Sequence, residues 1–329
     1  VEPKQVKNAL STILASVESD LDGASKMVEQ SLASHVHLIE QMGKHIVTSG
    51  GKRLRPALVL LCARALGYEG DRHIPLAAAV ELIHTATLLH DDVVDHSTLR
   101  RGRSTANALW GNEASVLVGD FLYSRAFELL VKYSSLEIMQ VISSASNQIA
   151  EGEMMQLEQA HRTDTSEDLY LEIIRRKTAI LFSASCRIGA MLVTDDEKII
   201  DAMADYGINL GLAFQMIDDV LDFTGDKEII GKNLGDDLAE GKASLPLIHV
   251  LHQGTPEDVA FIGDAIRKGC VDQVDQICDI IAKYDAVQYT VSLAQTKASS
   301  ACEAITVIPA TVWRHTLEQL SLFAVNRHY

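Results

Sequence analysis

The stretch HIPLAAAVELIHTATLLHDDVVD, His73–Asp95, decides how the chain reads. Its apolar residues return at three- and four-residue steps, the period of a helix with a buried face. Its last turns, LLHDDVVD (Leu88–Asp95), set three carboxylates and a histidine into that apolar pattern. A second segment, QMIDDVLD (Gln215–Asp222), does nearly the same 127 residues further on. Each helical residue advances about 100°, so Asp91 and Asp95 point in nearly one direction, with Asp92 flanking them. The same spacing applies to Asp218 and Asp222, with Asp219 offset.

One such acidic segment reads equally well as a solvated helix face, because charges mostly sit outside. Two copies embedded in Leu, Val, Ile and Met do not. Burying like charges without compensation costs several kcal/mol or more, on the order that unfolds a protein. Something positive must stand between the two helices. Lysine would serve, but an all-oxygen set with no His or Cys in matching positions favours a hard divalent cation, best Mg²⁺. Magnesium keeps waters and shares its sphere with phosphate, so a diphosphate is the expected third party.

Basic residues flank both acidic segments. GGKRLRP (Gly50–Pro56) sets Lys52, Arg53 and Arg55 at the start of a helix whose first turn holds Pro56. Cations there oppose the helix dipole unless an anion is bound as well. LRRGRST (Leu99–Thr105) supplies Arg100, Arg101 and Arg103, and RRKTA (Arg175–Ala179) adds Lys177 and Thr178. The glycine-rich stretch from Thr224 to Lys242 adds Lys232 and Lys242 and reads as a mobile lid beside the second acidic cluster. Any one of these bases is a solvated residue on its own; an acid, metal, phosphate and base sandwich accounts for the set.

Bulk properties bound the rest. A net charge of −16 over 329 residues argues against nucleic acid or an anionic membrane as the main partner, but not against a small anion in a basic pocket. Five scattered cysteines without a CxxC pair fit a reducing, cytoplasmic setting. No apolar run reaches 18 residues and no signal pattern appears, so no membrane insertion is expected. Helical periodicity dominates and no convincing period-two stretch occurs. In GTPEDV, Thr255 reads as N-cap, Pro256 as the first helical residue and Asp258 as the third. Pro75, Pro246 and Pro309 also open apolar-periodic segments. No low-complexity linker divides the chain. The expected fold is all-α, a single helical-bundle domain over residues 1–329 with roughly ten or more helices.

From GGKRLRP through IHTATLLHDDVVD, RRG, RKTA, FQMIDDVLDF and GKNLGDDLAEGKASLPL to FAVNRHY, the chain resembles the trans-type (E)-polyprenyl diphosphate synthases, most closely their bacterial octaprenyl members. The resemblance implies an isoprenoid-synthase bundle with a central product cavity. It implies a prenyltransferase that condenses isopentenyl diphosphate with an allylic diphosphate, farnesyl diphosphate being the expected primer, to make polyprenyl chains for quinones. By the same resemblance Asp91, Asp95, Asp218 and Asp222 ligate Mg²⁺, while Asp92 and Asp219 support the carboxylates. Arg100, Lys177, Thr178, Gln215, Lys232 and Lys242 match positions that hold the allylic diphosphate. Lys52, Arg55, His84 and Arg101 match those that hold isopentenyl diphosphate. On sequence alone His84 would be a satisfied core histidine; its place seven residues before Asp91 changes that. A homodimer is expected.

Product length follows from what lies one turn before Asp91. Thr87 and Ala86 are both small, where short-chain relatives commonly place Phe or Tyr as a plug. An eight-unit chain needs a tunnel on the order of 30–40 Å, the length of a helix of roughly 20–25 residues. The helix from Leu136 to Gln156 is expected to supply the floor, with Met139 and Ile142 roughly 20–25 Å below its GEMMQ end. Plain core packing explains either residue as well. The competing readings are a farnesyl or geranylgeranyl synthase, a non-catalytic regulatory subunit, a di-iron bundle and a class I terpene cyclase. Ala86 and Thr87 oppose the first, and the intact acidic motifs oppose the second. The third wants Glu-x-x-His pairs on facing helices, and EMMQ is not one; the fourth would not need GGKRLRP.

Overall fold

The computed structural model describes residues 10–48, 50–100, 102–224 and 235–326. Arg101 and Lys232, and the lid stretch 225–234, lie outside the described residues. Sixteen α-helices are bounded on both sides within those residues. Helices α1 (Glu18–Ser31), α2 (His37–Thr48) and α3 (Leu54–Ala65) precede α4 (His73–Val94), which carries the first acidic segment. A two-residue ribbon pairs Leu99–Arg100 with Arg103–Ser104 in antiparallel register, too short to leave a period-two signal. There follow α5 (Ala106–Trp110), α6 (Asn112–Tyr133), α7 (Leu136–Gln159) and α8 (Glu167–Ile174). A π-helical turn, Arg175–Ala179, runs into α9 (Ile180–Met191), and α10 (Glu197–Thr224) carries the second acidic segment. The remainder is α11 (Asp236–Ala239), α12 (Leu245–Gln253), α13 (Pro256–Lys268), α14 (Val274–Lys283), α15 (Ala286–Ala304) and α16 (Val312–Val325).

Local chemistry sets the helix ends. Thr255 accepts from the Asp258 amide and Gly269 closes α13 in the left-handed region, so GTPEDV forms the cap its spacing predicts. Ser135 and Ser166 cap α7 and α8 in the same way. Pro246 sits in the first turn of α12, where the missing N–H costs nothing. Helices α3, α4, α6, α7 and α9 share the largest apolar cluster, which includes Leu58, Leu82, Leu122, Ile142 and Phe182. Helices α8, α10, α12 and α15 enclose a second cluster around Met216 and Leu245.

Two glycines let α7 and α10 approach the basic π turn. A Cβ on Gly152 of α7 would stand 2.7 Å from the Lys177 backbone nitrogen, and one on Gly211 of α10 would stand 2.6 Å from Ala179 Cα. Any side chain at either position would push the π turn away from its neighbours.

Ala86 and Ile142 are fully buried in the main core, while Thr87 and Met139 are partly buried. At 1.5 Å per residue, Ile142 lies about 16 Å and Met139 about 21 Å along α7 from Glu153. Counted from Gln156 at the GEMMQ end, the same rise gives about 21 Å for Ile142 and about 26 Å for Met139.

Candidate active site

The first acidic segment ends α4, with Asp95 as C-cap donating its amide to the Asp91 carbonyl. Asp92 is only 4% exposed. Arg100 grips it through Nε and Nη2, each 2.7 Å from Oδ1, from the ribbon that follows. Among the described residues no side chain clamps Asp91 in this way. Burial pushes its carboxyl pKa up, Asp95 adds to the rise, and Lys177, Arg100 and Lys242 pull against it. That electrostatic field gathers Lys177 and Lys242 around the first acids from remote parts of the chain.

Lys242 makes the crossing explicit. Its ammonium reaches Asp95 Oδ2 at 3.1 Å and also pairs with Glu240. Burial works against that ammonium, but Asp237, Asp95 and Glu240 together outweigh it and raise its pKa. The same lysine lines a cavity of about 650 Å³, open to solvent, with Lys177, Thr178, Gln215, Asp219 and Asp237. Lys242 thus links Asp95 of the first acidic segment to the cavity that Asp219 of the second one lines.

On the far wall Asp219 is 3% exposed, with Gln215 Nε2 on Oδ1 at 2.8 Å and the Tyr170 hydroxyl on Oδ2 at 2.6 Å. Burial first, and Asp237 next, push its pKa up to about 8. Thr178 donates to Gln215 Oε1 at 3.0 Å. Lys177 is held at 2.6 Å from Glu153 Oε2 and 2.7 Å from Gln156 Oε1. Burial pushes Glu153 up to about 7, against the pull of Lys177. Asp218 and Asp222 lie partly buried on either side of Asp219 along α10. Asp222 accepts from the Asp237 amide at 3.3 Å and from the Gly235 amide through its carbonyl.

A second basic group gathers nearby. Arg55 donates to His84 Nε2 at 3.0 Å and lies over the Phe182 ring, while Lys52 stands over Phe214, the neighbour of Gln215. His84 therefore does not sit alone in the core; it acts as an acceptor for the GGKRLRP arginine. A larger cavity of about 1130 Å³ opens between α1, α2 and α4, where apolar Leu21, Val28 and Leu82 meet Arg53, Arg100 and His84.

Divalent metal fits this donor set. Among the described residues no three His, Cys, Asp or Glu side chains form a ready cage. Magnesium is ordinarily held by one or two carboxylates together with phosphate and water, which is what each acidic segment offers. Ser244 Oγ lines the cavity, buried and without a hydrogen-bond partner, as expected where a polar ligand belongs.

The profile of the polyprenyl synthetases matches residues 36–281. The chain belongs to that family. It is 46% identical over 309 residues to the octaprenyl diphosphate synthase of Escherichia coli (strain K12), covering 94% of this chain and 96% of that one. It is 42% identical to the octaprenyl diphosphate synthase of Haemophilus influenzae (strain ATCC 51907 / DSM 11121 / KW20 / Rd), covering 99% of each. Among solved structures, a polyprenyl synthase from Caulobacter crescentus CB15, complexed with calcium and isoprenyl diphosphate, superposes with a TM-score of 0.94. Identity there is 43%, over 97% of this chain and 98% of that one. The all-α isoprenoid-synthase fold and a prenyltransferase activity follow for this member of the family.

Sequence reasoning missed Tyr170, Glu153, Gln156 and Asp237. Tyr170, Glu153 and Gln156 stand in no doubled acidic motif or basic run; Asp237 lies in GDDLAEGK, and each acquires its meaning only from a partner in another element. Glu153 and Gln156 lie in the GEMMQ segment, whose sequence assigns neither side chain a role.

Proposed function

We infer that this polyprenyl synthetase is a long-chain trans-prenyltransferase, condensing isopentenyl diphosphate with an allylic diphosphate to make an octaprenyl or similar product. The near-full-length identity to octaprenyl diphosphate synthases carries this reading. Small residues at Ala86 and Thr87 support it over a farnesyl- or geranylgeranyl-length product. Its product would serve as a quinone side chain, made in the cytoplasm. No helix among the described residues is long and apolar enough to cross a membrane.

Lys177, Thr178, Gln215, Lys242 and Arg100 would hold the allylic diphosphate, and Lys52, Arg55 and His84 the isopentenyl diphosphate. Lys232 and Arg101 complete these sets by motif. Mg²⁺ held by Asp91, Asp95, Asp218 and Asp222 would supply charge stabilisation as the leaving diphosphate departs. The chain's own cations do the same from the protein side, since they are fixed and partly dry before charge develops. The double bond of isopentenyl diphosphate then attacks the allylic cation, and a proton passes to the released diphosphate. The apolar walls around Ala86 keep water from the cation. Asp92 and Asp219, both buried and hydrogen-bonded, orient rather than ligate.

Ala86 and Thr87 would open the product tunnel, with Met139 and Ile142 as its floor. Residues 1–329 would act as one synthase unit. Exposed Leu117 and Val131 on α6 favour a homodimer, which sedimentation checks. Incubation with farnesyl diphosphate, isopentenyl diphosphate and Mg²⁺, with chromatography of the products, tests the function. Chains of about eight units are expected; consumption of farnesyl diphosphate without isopentenyl diphosphate would point to a cyclase.

A further inference from the structure

Tyr170 belongs to none of the sequence motifs, yet it ends a continuous chain of hydrogen bonds beneath the diphosphate contacts. Thr178 Oγ1 donates to Gln215 Oε1 at 3.0 Å, and Gln215 Nε2 donates to Asp219 Oδ1 at 2.8 Å. Tyr170 OH then closes the chain on Asp219 Oδ2 at 2.6 Å. The chain ties the π turn to α10, and α10 back to α8, the helix that runs directly into that turn. Asp219 has almost no solvent to satisfy it, so the two donors decide where its oxygens point. Burial, with Asp219 next, raises the Tyr170 pKa well above the ordinary phenol, so the hydroxyl remains a donor.

Tyr170 is also set by its own helix. Ser166 caps α8 four residues earlier, and Arg175 begins the π turn five residues later. A shift of Tyr170 would therefore carry into the backbone that presents Lys177 and Thr178. We propose that Tyr170 is a positioning residue for the allylic-diphosphate subsite, fixing Asp219 so that Gln215 and the Lys177–Thr178 turn are set before substrate arrives. This rests on reading the cavity around Lys177 and Lys242 as that subsite. Presetting of this kind helps because donors need not reorganise when charge develops. Lys52, Arg55 and His84 gather instead against Phe182 and Phe214, so the effect belongs to one substrate.

The test is Tyr170→Phe in the full-length chain, which removes one hydroxyl and preserves the ring. Losing a buried hydrogen bond to a carboxyl is expected to raise KM for farnesyl diphosphate about tenfold. Affinity for inorganic pyrophosphate with Mg²⁺, read by calorimetry, falls by a similar factor, while KM for isopentenyl diphosphate stays within about twofold. Tyr170→Phe combined with Asp219→Asn adds nothing further, because both act through one carboxyl. Equal movement of both KM values, or movement of neither, overturns the proposal, and so does full additivity.

Should the Phe variant not fold, 3-fluorotyrosine at position 170 reads the same linkage in the intact fold. Its ¹⁹F line shifts on adding Mg²⁺ and pyrophosphate; a line that stays put overturns the proposal. Lys177→Ala separates the two levels of failure. If it leaves KM for farnesyl diphosphate unchanged, the subsite reading itself is wrong. If it raises that KM and Tyr170→Phe does not, only the role of Tyr170 falls.

Discussion

Lys242 Nζ stands 3.1 Å from Asp95 Oδ2, although 147 residues separate the two in the chain. This ammonium neutralises one carboxylate of the first segment. It also lines the wall that carries Asp219. Lys177 and Lys242 thus bring two cations to a cavity whose wall also carries Asp219 and Asp237.

Lys242→Ala removes the cation between the two acidic walls. Its expected effect is a fall in kcat/KM of about 10²–10³-fold, the range for losing one fixed donor at developing charge. Asp91→Asn and Asp218→Asn are expected to fall at least as far. Steady-state turnover with farnesyl diphosphate measures all three, and wild-type rates would remove these residues from the site.

Chelation is the complementary experiment. EDTA is expected to abolish condensation and Mg²⁺ to restore it, because neither acidic segment closes a cage that would retain the ion. Activity that persists through exhaustive chelation would argue against the metal.

Arg55→Ala and His84→Ala break a single 3.0 Å hydrogen bond from either side. Both variants are expected to raise KM for isopentenyl diphosphate about tenfold and to leave KM for the allylic substrate nearly unchanged. A reversed pattern would exchange the two subsites.

Ala86→Phe places an aromatic ring one turn below Asp91. Products of about three or four units are expected, as the path along α4 closes near its start. Ile142→Ala and Met139→Ala are expected to lengthen the products. Chromatographic sizing decides, and an unchanged distribution in Ala86→Phe removes the tunnel from this position.

Glu153, raised to about 7 chiefly by burial, gives a pH signature. Between the ordinary Glu value of 4.5 and that raised value, the folded chain binds more protons here than the unfolded chain does. Its contribution therefore favours folding most at low pH and is lost as pH rises through about 7. Melting temperatures of the metal-free protein are expected to decline over that window, with a shallower decline in Glu153→Gln.

Much of the site was legible because its charges are local in sequence. Asp91 and Asp95 lie one helical turn apart, so spacing alone puts them on a common face, while Lys52 and Arg55 share one short run that only the family resemblance ties to a substrate. The all-α fold was legible for the same reason, through the three- and four-residue period of His73–Val94. Tyr170 and Glu153 were not legible. A tyrosine among isoleucines and a glutamate on a polar helix are ordinary until a distant helix supplies the Asp219 carboxyl or the Lys177 ammonium. The pairing of Arg55 with His84 was likewise invisible, since 29 residues and a helix reversal lie between them. Arg101, Lys232 and most of the proposed lid fall outside the described residues, so their placement stays with the motifs.

The π turn at Arg175–Ala179 packs one more residue into its circuit than an α-helix would. That surplus residue offsets Lys177 and Thr178 from the register of both flanking helices. Removing a single residue there would yield a longer, more regular helix, favoured by local propensity. It would also rotate the lysine and threonine off the cavity wall, leaving a chain that folds more simply and catalyses worse.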